Sequence, residues 1–142
     1  LLPLPFKAAE KIIEKWIEAE DGFTYAVVKN GDQSVIGHVT ADWEWDPHMP
    51  DCAVVIDPEH QRHGYGTQAL TLLLNYLYDF TVAHNVSIWI TEWNQPARAF
   101  IEKAGFKYVG QLRRANYHGG RFYDEFVYDI LRPEWKERRH AA

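Results

Sequence analysis

The chain has 142 residues, 46% apolar and 15% aromatic, which suits one domain with a sizeable core and excludes a disordered chain. Its one cysteine, Cys52, excludes an internal disulfide and a zinc site built on cysteines. A net charge of -5 argues against general nucleic-acid binding, and with no membrane-spanning run and no signal peptide in view the default expectation is a cytoplasmic protein.

The first element is a helix. "FKAAEKIIEKWIEAE" places Ala9, Ile12, Ile13, Trp16 and Ile17 on one face. "FTYAVVKN", then Asn30-Gly31, then "SVIGHVTADWEW" reads as a hairpin, because Asn-Gly is a favoured turn between extended runs. In the second strand Val35, Val39, Ala41, Trp43 and Trp45 alternate with His38, Thr40, Asp42 and Glu44, so one face is buried and the other wetter. "DPHMP" breaks this strand and "DCAVVID" makes the next, ended by Pro58.

After a loop, a long helix from Thr67 to His84 turns Ala69, Leu70, Leu73, Leu77 and Phe80 inward. "VSIWI" is a short strand. Asn94 reads as an N-cap, Pro96 fits a first helical turn, and Gly105 reads as the C-cap of "QPARAFIEKA". Two strands, "FKYVGQLRRA" and "RFYDEFVYDIL", flank "NYHGG". There is no internal repeat and no linker. The order predicts a single mixed α/β domain over residues 1–142, with helices packed on the sheet.

The loop in "VVIDPEHQRHGYGTQAL" carries the first functional signal. A strand, a glycine-bearing loop and a helix N-terminus leave a row of amides without helical partners, in a dipole field that favours anions. The natural guest is a phosphate or pyrophosphate. "QRHGYG" is neither a dinucleotide fingerprint nor a P-loop. Charge is uneven as well. Asp42 to Glu59 holds six acids and no Lys or Arg, and His60 to Ala115 holds six bases against three acids. That pattern suits a cationic and an anionic ligand side by side, or simply two solvated faces.

Together with "TEWNQPARAFIEKAGFKYVG" and "GGRFYDEFVYDILRPEW", this loop resembles the GNAT superfamily of acetyl-CoA-dependent N-acetyltransferases. The last two stretches look most like the branch with the ribosomal-protein N-terminal alanine and spermidine acetyltransferases. The resemblance runs from about Phe6 to Trp135. It implies a mostly antiparallel sheet splayed between its fourth and fifth strands, "DCAVVID" and "VSIWI" here, counting a usual first strand expected ahead of the first helix. It implies acetyl-CoA as co-substrate, with its pyrophosphate on the amides of Gln61, Arg62, His63, Gly64, Tyr65, Gly66 and Thr67. Free backbone groups at Val54 and Ile56 would meet the pantetheine arm and thioester carbonyl. Asn94 would reach the pantetheine, unless it is a helix cap alone, and Arg98 a phosphate.

Two departures stand out. Where many members carry a Tyr that protonates the leaving thiolate, this chain has Ile101, and where the branch often has a Ser it has Ala97. The family's usual first strand and helix also precede the first helix seen here. Without that strand, "FTYAVVKN" would be an apolar edge, covered by unseen residues or by a second copy in a homodimer.

Acetyl transfer to an amine needs a proton acceptor and donors for the developing oxyanion, while a thiol of pKa about 8.5 leaves tolerably unaided. Asp51 and Glu92 are the candidate bases, each working through water. Glu44 and His48 read as surface or substrate-binding groups, His63 as a neighbour of phosphate, and Cys52 as a buried strand residue. No His/Glu spacing makes a metal site. The expected acceptor is a primary amine of a peptide N-terminus, a polyamine or a small molecule, with Trp43 or Trp45 either in the core or giving it a cation–π face. The rival readings are a non-catalytic acyl-CoA-binding module and a nucleotide-phosphate enzyme.

Overall fold

A computed structural model describes residues 5–43 and 45–141. Six strands form one sheet: β1 (Gly22–Val28), β2 (Val35–Asp42), β3 (Asp51–Ile56), β4 (Asn85–Thr91), β5 (Lys107–His118) and β6 (Arg121–Leu131), in the order β1-β2-β3-β4-β6-β5. Four helices accompany it: α1 (Phe6–Glu18), α2 (Tyr65–Phe80), α3 (Gln95–Ala104) and α4 (Arg132–Ala141). Every strand pair is antiparallel except β3 with β4.

The core lies between the sheet and α2. Leu70, Leu73, Leu74, Leu77 and Tyr78 are buried against Val39, Ala41, Cys52, Val86, Ile88, Ile90, Tyr128 and Ile130. Each fully buried Leu contributes about 1.5–3 kcal/mol from burial. The Tyr78 hydroxyl, deep in this layer, donates to Ile130 O at 2.5 Å, so the polar tip is satisfied. The other face of the sheet is wetter, as the β2 alternation predicts. It carries His38, Thr40 and Asp42 opposite Val55, Ala53 and Asp51. Trp16 of α1 rests on His38 with ring centroids 5.0 Å apart.

The splay is present. β3 and β4 share one ladder pair, Asp51 with Ser87, and then diverge. Backbone parity tells what lines the gap. Asp57 N–H donates to Ile36 O, so odd-numbered residues of β3 turn their backbone groups to β2. The even-numbered Val54 and Ile56 turn theirs toward β4. Ser87 N–H donates to Pro50 O, so Trp89 and Thr91 of β4 turn theirs back toward β3.

Several boundaries differ from the sequence reading. The β1–β2 connection is not a two-residue Asn-Gly turn but residues 29–34, closed by Lys29 N–H to Ser34 O at 2.9 Å, with Gln33 at φ 60°. A bulge between Val27 and Val28 takes the strands out of the register a tight turn needs. α2 runs from Tyr65 to Phe80 rather than Thr67 to His84, because Gly64 at φ 84° begins it early and the Thr81 hydroxyl returns to Leu77 O to end it. Phe80, expected inward, is exposed. β2 ends at Asp42, so Trp43 packs against the core while Trp45 is 91% exposed. Glu44 lies outside the described residues. α4 has no counterpart in the sequence reading. Its Trp135 is buried and donates to Asn75 Oδ1 at 3.0 Å.

Candidate functional site

The opening between β3 and β4 leads directly to the N-terminus of α2. A one-turn 3₁₀ helix, Pro58–His60, capped by Asp57 accepting from Glu59 N–H, carries the chain from β3 to Gln61. There the backbone alternates: Arg62 lies at φ 63° and Gly64 at φ 84°. Positive-φ residues alternating with negative-φ ones turn successive N–H groups toward one side, which makes a concave anion nest. Gly64 suits this conformation because it has no Cβ to strain. The first amide to return to the chain is Gln68 N–H, which donates to Gly64 O at 3.0 Å. The amides of Arg62, His63, Gly64, Tyr65, Gly66 and Thr67 find no acceptor among the described residues, whereas the Gln61 amide, expected among them, closes the 3₁₀ turn by donating to Pro58 O at 3.4 Å.

Side chains brace this loop without filling it. Gln61 Nε2 donates to Ile56 O at 2.9 Å, tying the loop to the end of β3 and occupying the Ile56 carbonyl. His63 Nδ1 donates to Gln61 O at 2.7 Å. Gly66 sits over Ile56 and Phe100, where an added Cβ would lie 3.7 Å and 3.6 Å from their side chains. From Thr67 a groove of about 210 Å³ continues between α2, α3 and α4, lined also by Phe100, Lys103, Trp135 and Arg138. Sequence reading missed Lys103 and Arg138, because only the packing of α3 and α4 beside α2 brings them to Thr67.

Of the resemblance-derived groups, Val54 N–H and C=O and Ile56 N–H face the gap. The backbone groups of Trp89, another residue sequence reading missed, face them from β4. Strand parity is its only sequence signal. Asn94 is the N-cap of α3, accepting from Ala97 N–H at 3.3 Å, with Pro96 in the first turn and Gly105 at φ 102° as the cap at the other end. Arg98 turns to the sheet: its Nε donates to the Tyr128 hydroxyl at 3.1 Å and its guanidinium lies 4.2 Å from the Phe126 ring centroid. The Tyr128 hydroxyl in turn donates to Glu102. Ile101, at the position of the family's usual Tyr, is buried.

The two candidate bases stand at opposite ends of the opening. Asp51 is at the closed end, where its Oδ1 accepts from the Ser87 hydroxyl and from Trp89 Nε1 at 3.1 Å. Glu92 is five residues beyond Ser87 and so level with Ile56 at the mouth, about 17 Å from Asp51 along the strand direction. Its N–H donates to Asp124 O. The wet face around Asp51 carries further acid: Asp42 directly across on β2 and Asp129 across from Ser87 on β6. His48, before β3, is paired to Asp46 at 2.7 Å. Burial pushes the Cys52 thiol up to about 12, so it is no nucleophile at neutral pH. Among the described residues no three His, Cys, Asp or Glu side chains gather as metal ligands. No helix of the described residues is long and apolar enough to cross a membrane.

Several known proteins are similar to this chain. Over 111 residues the chain is 24% identical to the uncharacterized N-acetyltransferase YnaD of Bacillus subtilis (strain 168), covering 78% of this chain and 65% of that relative's length. Among solved structures it is similar to a spermidine N-acetyltransferase from Vibrio cholerae in complex with CoA and spermine, with TM-score 0.83, 21% identity, and coverage of 94% of this chain and 79% of that one. It is also similar to an acetyltransferase (GNAT family) from Bacillus anthracis, with TM-score 0.81, 22% identity, and coverage of 92% and 76%. At these identities the likeness shows the fold. The model of the acetyltransferase (GNAT) family matches residues 3–106, most of the chain, and the chain belongs to that family.

Proposed function

We propose that the chain is an acetyl-CoA-dependent N-acetyltransferase that moves the acetyl group to a primary amine by direct transfer in a ternary complex. The observation that carries this reading is the joint geometry of the six unpartnered amides, Arg62 to Thr67, and the open β3–β4 gap beside them. The amides would hold a pyrophosphate against the dipole of α2. The backbone groups of Val54 and Trp89 and the Ile56 N–H match the amides of a pantetheine arm threaded between the strands. The family membership, and a fold-level neighbour solved with CoA and spermine, support a CoA thioester as donor and an amine as acceptor.

Bound acetyl-CoA supplies an activated acetyl carbon: the C–N bond forms as the C–S bond breaks and the thiolate leaves. The residues of the chain do the rest. Val54 N–H donates to the thioester oxygen as charge builds there. Asp51, about 10 Å along β3 from Val54, takes the ammonium proton through ordered water. The acid-rich wet face of Asp42, Asp51 and Asp129 attracts the cationic acceptor. No side chain protonates the thiolate from the positions of Ile101 and Ala97, and a thiol needs little such help.

The same two positions favour a second reading, a module that binds acyl-CoA without transferring the acyl group. Thiol release from acetyl-CoA across peptides, polyamines and aminoglycosides separates the two. Turnover with any amine supports transfer, whereas tight acetyl-CoA binding with no thiol release across the panel supports the module.

A further inference from the structure

Asp51 does not stand alone at the closed end of the splay. β4 presents Ser87 and Trp89 two residues apart, hence on the same face. Ser87 is the ladder partner of Asp51, so Trp89 sits one pleat further toward the open mouth. Both donate to the same atom: the Ser87 hydroxyl and Trp89 Nε1, the latter at 3.1 Å, converge on Asp51 Oδ1. An indole N–H is a donor only, so this contact holds an acceptor oxygen in one orientation and cannot reverse. The Oδ2 atom accepts no bond among the described residues. Trp89 keeps 43% of its surface exposed, so its ring forms a wall of the opening rather than part of the core.

We infer that Trp89, with Ser87, is a positioning residue for acetyl transfer: the pair clamps Oδ1 of the Asp51 carboxylate and leaves Oδ2 to receive the proton of the acceptor amine. This rests on the reading of Asp51 as the base. A free aspartate would rotate its carboxyl about the terminal torsion, which is broad. Two side-chain donors from a rigid strand fix it in one orientation. The charged and titratable groups facing Asp51 come from several elements. Asp42 lies across on β2, with His38 further along the same face against Trp16 of α1. Asp129 on β6 is held by Asn85 Nδ2 at 2.9 Å, and His48 stands in the loop before β3. Cys52, next along β3, turns to the core.

The test is Trp89→Phe, which keeps a ring and drops the N–H, beside Ser87→Ala, Ser87→Thr and Asp51→Asn. Spermidine is the acceptor and acetyl-CoA the donor. Losing one donor lets the carboxyl turn, so Oδ2 is less often aimed at the acceptor amine. For Trp89→Phe we expect a lower kcat with unchanged acetyl-CoA affinity, and a loss smaller than the roughly 10²-fold that removing a general base costs at the least. Ser87→Ala lowers kcat in the same way and Ser87→Thr restores it. A carbon-13 NMR spectrum of the Asp51 carboxyl, assigned with Asp51→Asn, reads the lost donor as a changed resonance with no acceptor present. An unmoved resonance in Trp89→Phe overturns the inference. So does an unchanged kcat in Trp89→Phe while Asp51→Asn loses the rate, and then the base assignment survives. If Asp51→Asn keeps the wild-type rate, the base assignment itself has failed and the inference falls with it.

Discussion

Replacing Gly64 with Glu separates the fold from its ligand. Gly64 holds φ 84°, and an added Cβ there meets nothing closer than Gln68 Nε2 at 3.9 Å. There is room for the side chain, so the cost to the fold is the left-handed backbone, about 1 kcal/mol. The cost to binding is larger. The new carboxylate stands at the centre of the six-amide nest, on the path of the proposed pyrophosphate. At about 5 Å each phosphate charge is opposed by about 1–3 kcal/mol between fully aqueous and protein-surface screening. For the two charges of the pyrophosphate the total is about 2–6 kcal/mol, a loss of acetyl-CoA affinity of about 30-fold to 10⁴-fold. Isothermal titration calorimetry reads the affinity, and thermal unfolding checks that the fold survives. Gly64→Ala is the control: it carries the backbone cost alone and should bind acetyl-CoA with nearly wild-type affinity. If Gly64→Glu binds as the wild type does, the nest does not hold the cofactor.

Three further outcomes follow from particular contacts. Asp51→Asn should lose about 10²–10⁴ in rate together with the acidic limb of kcat/KM while binding acetyl-CoA normally. Glu92→Gln, at the far end of the opening, should keep that limb, and the reverse pattern would transfer the role to Glu92. Gly37→Ala would place a Cβ 2.0 Å from Val55 O, so β2 and β3 must shift. A loss of at least about 2 kcal/mol by urea denaturation is expected, and an unchanged midpoint would contradict the β2–β3 register. Cys52 is held as a thiol, with its pKa raised by burial from 9.0 to about 12. Because the folded value is the higher one, the stabilisation is whole below about pH 9 and is lost as pH rises from there toward 12. Its full size is on the order of 4 kcal/mol. Cys52→Ala should therefore lose stability less steeply than wild type above pH 9, and parallel curves would refute the buried-thiol reading.

Much of the fold was legible wherever a single residue type has one physical use. Pro96 after Asn94 and Gly105 after "EKA" mark both ends of α3, and both caps form. The alternation of β2 predicts its two faces from Gly37 to Ala41. It fails at the start of the strand, where Val35, expected inward, is exposed and Ile36 is buried, because the Val27/Val28 bulge shifts the register there. It misleads at Trp45, because alternation cannot tell where a strand stops, and the next two residues, Asp46 and Pro47, already belong to the break. Asn30-Gly31 predicts a tight turn from two residues, while the bulge at Val27/Val28 that lengthens the loop has no local signature. In the site, the glycine loop is visible because its backbone needs positive φ. The gap is visible only through the family resemblance, since nothing in "DCAVVID" or "VSIWI" announces that the two strands part after one pair. Asp51 could be singled out as an acid at a strand start. That Ser87 and Trp89 converge on it depends on the parallel register of β3 and β4, a long-range fact that no local pattern carries.

Acetyl transfer is tested most directly by the mass of the acceptor after incubation with acetyl-CoA labelled with carbon-13 in the acetyl group. An active transferase leaves an amine heavier by one labelled acetyl group, formed in equal amount with free coenzyme A and absent when Gly64→Glu replaces the wild type at the same acetyl-CoA concentration. No labelled amine among peptides, polyamines and small molecules, with acetyl-CoA bound and intact, would contradict acetyl transfer and leave a binding module in its place.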